Sequence, residues 1–148
     1  MKVYETLHLV KGEDLNHHGT LFAARAAAWL VEAGFAAAAC EHGDTDEIVL
    51  RNLQNMSFSK PVKKGTVVRF ESRVVYAGST SLTVAVQAKN AMTGEQAIEG
   101  YITFVTIDKE TGKKKQHSVV LDEVVLNESS GEDERKMREK ALRLRNQR

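Results

Sequence analysis

The segment Thr20–Cys40 constrains the fold of this chain more than any other stretch. It reads as one long helix, mostly alanine, with apolar residues all round its circumference. Such a helix is buried on most sides, and because its side chains are small, whatever covers it must approach closely. A curved sheet wrapped around a thin helix meets both conditions. The apolar run Ala26–Cys40 falls short of the roughly 20 residues needed to span a bilayer and contains Glu32. It therefore reads as a core helix, and no membrane is expected as a partner.

The flanking sequence supplies such a sheet. Met1–Val10 is strand-like, and four further runs follow the helix: Ile48–Phe58, Thr66–Tyr76, Ser81–Lys89 and Glu95–Asp108. In the second of these, Val68, Phe70, Ser72 and Val74 alternate with Arg69, Glu71 and Arg73, the period-two pattern of a half-buried strand. Glu95–Asp108 is apolar on both faces near Tyr101–Ile107, as in an interior strand. Short glycine-bearing turns join these runs, which predicts an antiparallel meander. A last strand is expected over Ser118–Leu121. After the break at Ser129-Ser130-Gly131, Glu132–Arg148 reads as a charged helix, acids first and bases last, with a narrow apolar stripe of Met137, Ala141, Leu142 and Leu144. That helix is expected to be solvated, packing on a neighbouring molecule or fraying. At 148 residues the chain can build one core, and its formal net charge of +1 gives no reason to expect nucleic acid. The single cysteine, Cys40, excludes an internal disulfide, fits a reducing cytoplasmic compartment and is expected to be buried. No signal peptide is legible in Met1–Val10.

The stretch Leu15–Phe22 carries the chemistry. A polar turn with a glycine runs straight into the helix, with Thr20 as the expected N-cap. A helix start offers unpaired backbone N–H groups and the positive end of a dipole. Asn16, just ahead of it, is placed to hold a water or a carbonyl, although asparagine also favours plain turns. Together they suit the polarisation of a carbonyl oxygen, with Gly19 letting backbone and substrate approach. His17 and His18 are adjacent, and neighbours in sequence rarely face one ion. No cluster of cysteines or acids supports them, so no metal site is expected. Glu32 needs a partner if buried, and both an ion pair and a catalytic role are open to it.

Three motifs in order resemble the acyl-CoA thioesterases of the hexameric, cytosolic hotdog family: Asn16-His17-His18-Gly19-Thr20-Leu21-Phe22, Phe58-Ser59-Lys60-Pro61-Val62-Lys63-Lys64-Gly65 and Gly78-Ser79-Thr80-Ser81. The likeness runs from about Tyr4 to Val120. It implies an α+β hotdog domain over residues 1–124, with residues 125–148 as a charged helical tail. It also implies hydrolysis of a fatty acyl-CoA with no metal, no covalent intermediate and no cofactor beyond the CoA of the substrate. In that reading Asn16, Gly19 and Glu32 serve catalysis, while His17, Thr20, Lys60, Gly78, Ser79, Thr80 and Ser81 contact the CoA ester. Homodimers with the site at their interface, assembled into a hexamer, complete the expectation.

Two departures stand out. The family's two glycines after the phenylalanine are Ala23-Ala24 here. The aspartate that follows the helix tryptophan by two residues, and activates water, is Val31 here. Glu32 comes next but is rotated by about 100° around the helix. Asp44, Asp46, Glu47, His17 and His18 are the other candidate bases. An alternative expectation is an acyl-CoA binding or regulatory protein that keeps the pocket without the turnover.

Overall fold

The computed structural model describes residues 2–124 and 131–146. Met1, the break at Ser129-Ser130 and residues 147–148 lie outside the described residues. Five strands form one antiparallel sheet: β1 (Tyr4–Leu9), β2 (Ile48–Phe58), β3 (Val67–Ala77), β4 (Ser81–Asn90) and β5 (Gln96–Thr106). Their spatial order is β1-β3-β4-β5-β2, so β1 and β2 are the two edges. The helix α1 (Ala23–His42) lies across one face and touches every strand. This is the hotdog arrangement that the resemblance implies.

The period-two pattern sorts the strands as expected. Val68, Phe70 and Val74 of β3, Leu82, Val84 and Val86 of β4, and Ile98, Ile102 and Phe104 of β5 are buried beneath α1. The helix comes very close to the sheet. A Cβ on Gly34 would sit 2.6 Å from Ile102 Cδ1, and one on Gly100 would sit 3.0 Å from Leu30 Cδ2. Larger side chains at either position would push the two layers apart.

The sheet covers only one side of the helix. Ala26, Leu30, Ala33, Gly34, Ala37 and Ala38 are buried, whereas Ala24, Arg25, Ala28, Glu32 and Cys40 are exposed. Burial on most sides is thus not achieved within one chain, and Cys40 is exposed rather than buried. The reason is geometric: one sheet of five strands wraps one flank of a cylinder and leaves the other open.

Two other expectations change. Residues 118–121 form no strand. Val119 and Leu121 pack against the core, and the His117 ring spans from the Ser81 carbonyl (3.0 Å) to the Val119 amide (3.1 Å), so side-chain bonds replace a ladder. The C-terminal helix, α2 (Gly131–Asn146), packs on the face of its own sheet opposite α1. Met137 and Ala141 are buried against Val75, Ala85 and Tyr101. Lys140 lies 5.3 Å from the Tyr101 ring centroid and Arg145 lies 4.6 Å from that of Tyr76. A narrow stripe suffices because the strand residues beneath it are small or present an aromatic face to a cation.

Candidate active site

The motif Asn16–Phe22 folds as a miniature hairpin. The Phe22 amide donates to the Asp14 carbonyl (2.8 Å), Leu15 bridges Leu21, and the Asn16 amide donates to the Thr20 carbonyl (2.8 Å). The tip turns at Gly19, whose φ of +80° requires glycine. A Cβ there would meet no other atom of the chain within 4 Å, so within the chain it is the positive φ that calls for glycine. The Asn16 side chain ties the tip together. Its Oδ1 accepts from the amides of His18 (2.9 Å) and Thr20 (3.2 Å) and lies 3.3 Å from the Thr20 hydroxyl. Two backbone donors fix which end of the carboxamide is oxygen. The Nδ2 group gives one hydrogen to Thr20 Oγ1 (3.2 Å) and has a second to offer.

Thr20 is therefore not the N-cap. The capping position belongs to Phe22, which supplies no side-chain bond. The amides of Gly19, Thr20, Leu21 and Phe22 are all spent on Asn16, Val62 and Asp14. The first bond of the helix runs from the Ala26 amide to the Phe22 carbonyl (3.0 Å), which leaves Ala23, Ala24 and Arg25 without intrahelical acceptors. The donors able to receive a developing negative charge are these first-turn amides, one step further along the chain than the sequence indicates.

The second motif joins the first. The Leu21 amide donates to the Val62 carbonyl (2.8 Å), and Thr20 bridges Lys63. Between them opens a cleft of about 350 Å³ lined by Asn16, Thr20, Leu21, Ala23 and Phe58–Val62. Lys60 lines it while pairing with Glu95 at 2.8 Å. His17 and His18 stand exposed at the tip, with ring centroids 3.9 Å apart. Phe22 and Phe58 leave large apolar surfaces open at the cleft end of the molecule, and Leu50 does so near the opposite end of β2.

The third motif lies elsewhere. Gly78–Ser81 forms the β3–β4 turn at the far end of β3, whereas Thr66 and Val68, at the near end, share a pocket with the cleft residues Lys60, Pro61 and Val62. Eleven strand residues separate the two ends, roughly 35 Å. Ser79, Thr80 and Ser81 give their carbonyls to His117 and Thr106. One chain does not bring this motif to Asn16.

The candidate bases fare unequally. Val31 packs against the core. Glu32 is exposed on the open side of α1 and, among the described residues, makes no ion pair. Hydrogen bonds from Lys115 and then His42, each 2.8 Å, hold Glu47 below the usual carboxylate range. The Lys109 ammonium and then the Asp46 amide do the same for Asp44. Carboxylates held low are weak bases, so Glu47 and Asp44 act as structural anions that tie the end of α1 to the segment after β5. Asp46 is exposed. Among the described residues no cluster of His, Cys, Asp or Glu can hold a metal ion. Sequence reasoning missed Asp14, a buried carboxylate at the base of the hairpin.

The comparisons agree with this geometry. Residues 18–97, more than half of the chain, match the thioesterase superfamily, and the chain belongs to that family. An uncharacterised acyl-CoA thioester hydrolase of Bacillus subtilis (strain 168), YkhA, is 31% identical over 101 residues, 64% of this chain and 56% of that protein. That match spans little more than half of the relative's length. The crystal structure of an apo-hexameric acyl-CoA thioesterase superposes with a TM-score of 0.82 at 26% identity, covering 98% of this chain and 89% of that one. An acyl-CoA hydrolase of Staphylococcus aureus, in complex with butyryl coenzyme A, coenzyme A and coenzyme A disulfide, gives a TM-score of 0.76 at 26% identity over 98% and 90% of the two chains.

Proposed function

We propose that this protein hydrolyses a fatty acyl-CoA to the free acid and CoA, at a site completed by a second copy of the chain. The observation that carries this reading is the cleft in which Ala23, the first of the helix residues whose amides lack an intrahelical acceptor, lies beside the Asn16 carboxamide. A thioester carbonyl seated there accepts hydrogen bonds that strengthen as its oxygen becomes anionic. Water adds to the carbonyl carbon, the tetrahedral intermediate collapses, and the CoA thiolate leaves. The apolar surfaces of Phe22 and Phe58 suit an acyl chain, and Lys60 suits a CoA phosphate. No cofactor beyond the CoA of the substrate is required.

The base comes from across an interface. Glu32 lies nine residues beyond Ala23, roughly 13 Å along the axis, too far to activate water at its own first turn. An antiparallel two-fold pairing of β2 edges sets two α1 helices side by side and brings the partner's Glu32 toward this cleft. The same pairing turns the far end of the partner's sheet, with its Gly78–Ser81 turn, toward the near end of this one. The edge itself supports such a pairing: Asn52 Oδ1 is buried without a hydrogen-bond partner among the described residues, and Val49 and Leu50 are exposed. Dimers of this kind assemble into a hexamer in the cytoplasm.

Release of free thiol from a panel of acyl-CoA esters tests the reaction. Turnover on at least one chain length is expected, and none on any, with the fold intact, would overturn it. Val31 favours a second reading, binding without hydrolysis, because an apolar residue fills the place of the family's water-activating acid. Under it the wild type binds CoA esters without cleaving them, and Val31→Asp gains activity. A fast wild type unaffected by Val31→Asp excludes it.

A further inference from the structure

The first turn of α1 has no N-cap side chain, yet the direction of its amides decides whether a carbonyl is polarised. One residue eight positions upstream from Phe22 does the work of a cap. Asp14 is 2% exposed, and its polar atoms are committed around one point. Oδ2 accepts from the Lys11 amide (2.9 Å) and the main-chain carbonyl from the Phe22 amide (2.8 Å), its own amide donates to the Lys11 carbonyl (2.9 Å), and Oδ1 stands 3.2 Å from Arg25 Nη1 in an ion pair. Phe22 is the residue whose carbonyl receives the first helical bond, and Arg25 lies in that same first turn. Asp14 thereby holds both the backbone that enters the helix and a side chain that fixes its rotation.

The charges matter as well as the contacts. A carboxylate near a helix start favours the helix dipole but opposes a second negative charge developing there. Arg25 offsets it at 3.2 Å. Without Arg25, a buried carboxylate would stand partly unpaired a few residues from the amides that receive the oxyanion.

We infer that Asp14 and Arg25 are positioning residues: their ion pair aims the Ala23 and Ala24 amides and neutralises the carboxylate behind them. The inference rests on the hydrolytic reading above for its kinetic consequence, and on geometry alone for its structural one. Amide hydrogen exchange across residues 15–26 and steady-state hydrolysis of butyryl-CoA, measured on the full chain, test both. Arg25→Met is expected to speed exchange in that segment about tenfold while β4 and β5 keep wild-type protection. It should lower kcat roughly ten- to a hundredfold with KM nearly unchanged. Arg25→Lys should restore both, and the isosteric Asp14→Asn should repeat the pattern. Wild-type exchange in residues 15–26, a loosening shared equally by β4 and β5, or faster local exchange with kcat unchanged would overturn the inference. If the wild type cleaves no ester, the proposed reaction falls and the exchange result alone decides the clamp.

Discussion

In the proposed reaction the Asn16 side chain serves structure and chemistry together. Its oxygen is consumed by the hairpin tip, so what it presents to a ligand is a donor, the second hydrogen of Nδ2. Asn16→Asp replaces that donor with an anion beside the oxyanion position, whereas Asn16→Ala only removes it. Both should lower kcat, by about a hundredfold for alanine and further for aspartate, with Tm monitored to separate turn loosening from lost catalysis. At this scale the sequence was partly legible. The Asn16-to-Phe22 motif suggests a carbonyl-polarising helix start through its resemblance to the family, since asparagine and glycine taken alone fit a plain turn equally well. Which amides are free was not legible, since that depends on Val62 and Asp14 accepting from Leu21 and Phe22. Asp14 itself carries no local signal: a lone aspartate in a polar turn reads as a surface residue until its burial and its bond to Arg25 are seen.

Among the elements, strands and helices fell close to their predicted places because their periods are clean. What hydropathy could not tell was which polar groups would be buried. The face of the sheet opposite α1 carries Glu71, whose carboxylate contacts Lys89 and Arg69, each at 2.9 Å, and Arg73 at 3.6 Å. Burial pushes Glu71 up, but the bonds from Lys89 and Arg69 and the charges of Lys89 and Arg73 outweigh it, and its carboxyl sits below the ordinary range. Glu47, Asp44 and Asp108 are also held low, by Lys115 and His42, by Lys109 and the Asp46 amide, and by the backbone amides of Glu110 and Thr111. A carboxylate whose folded-state pKa is depressed contributes stability that is present above its unfolded value, near 4, and is lost as pH falls through the folded value. Stability to urea should therefore hold from neutrality down to about pH 5 and drop steeply below about pH 4. Glu71→Gln should flatten part of that drop at the expense of stability at pH 7, because it leaves cations partly buried without their counter-ion. A pH profile of the variant parallel to that of the wild type would contradict the assignment.

For the whole molecule, the open flank of α1 is the observation on which the proposed assembly rests. A helix of small apolar residues was read as buried on most sides, and one chain buries one side. The mismatch comes from reading a protomer's sequence as if it folded alone, and the same holds for the Gly78–Ser81 turn, which one chain leaves far from Asn16. The proposed pairing of β2 edges between two copies would account for both, along with the exposed Leu50 and Glu32 and the Asn52 Oδ1 that has no hydrogen-bond partner among the described residues. The most direct test is subunit complementation, using Asn16→Ala and Glu32→Gln chains co-expressed in equal amounts with different tags and purified as mixed oligomers. Each variant alone should be nearly inactive. About half of the dimers in such an oligomer are mixed, and each holds one intact site of two, so roughly a quarter of the wild-type thioester hydrolysis should return. Mixed oligomers as inactive as either parent, or full activity in Glu32→Gln by itself, would contradict a catalytic site built by two copies of this chain.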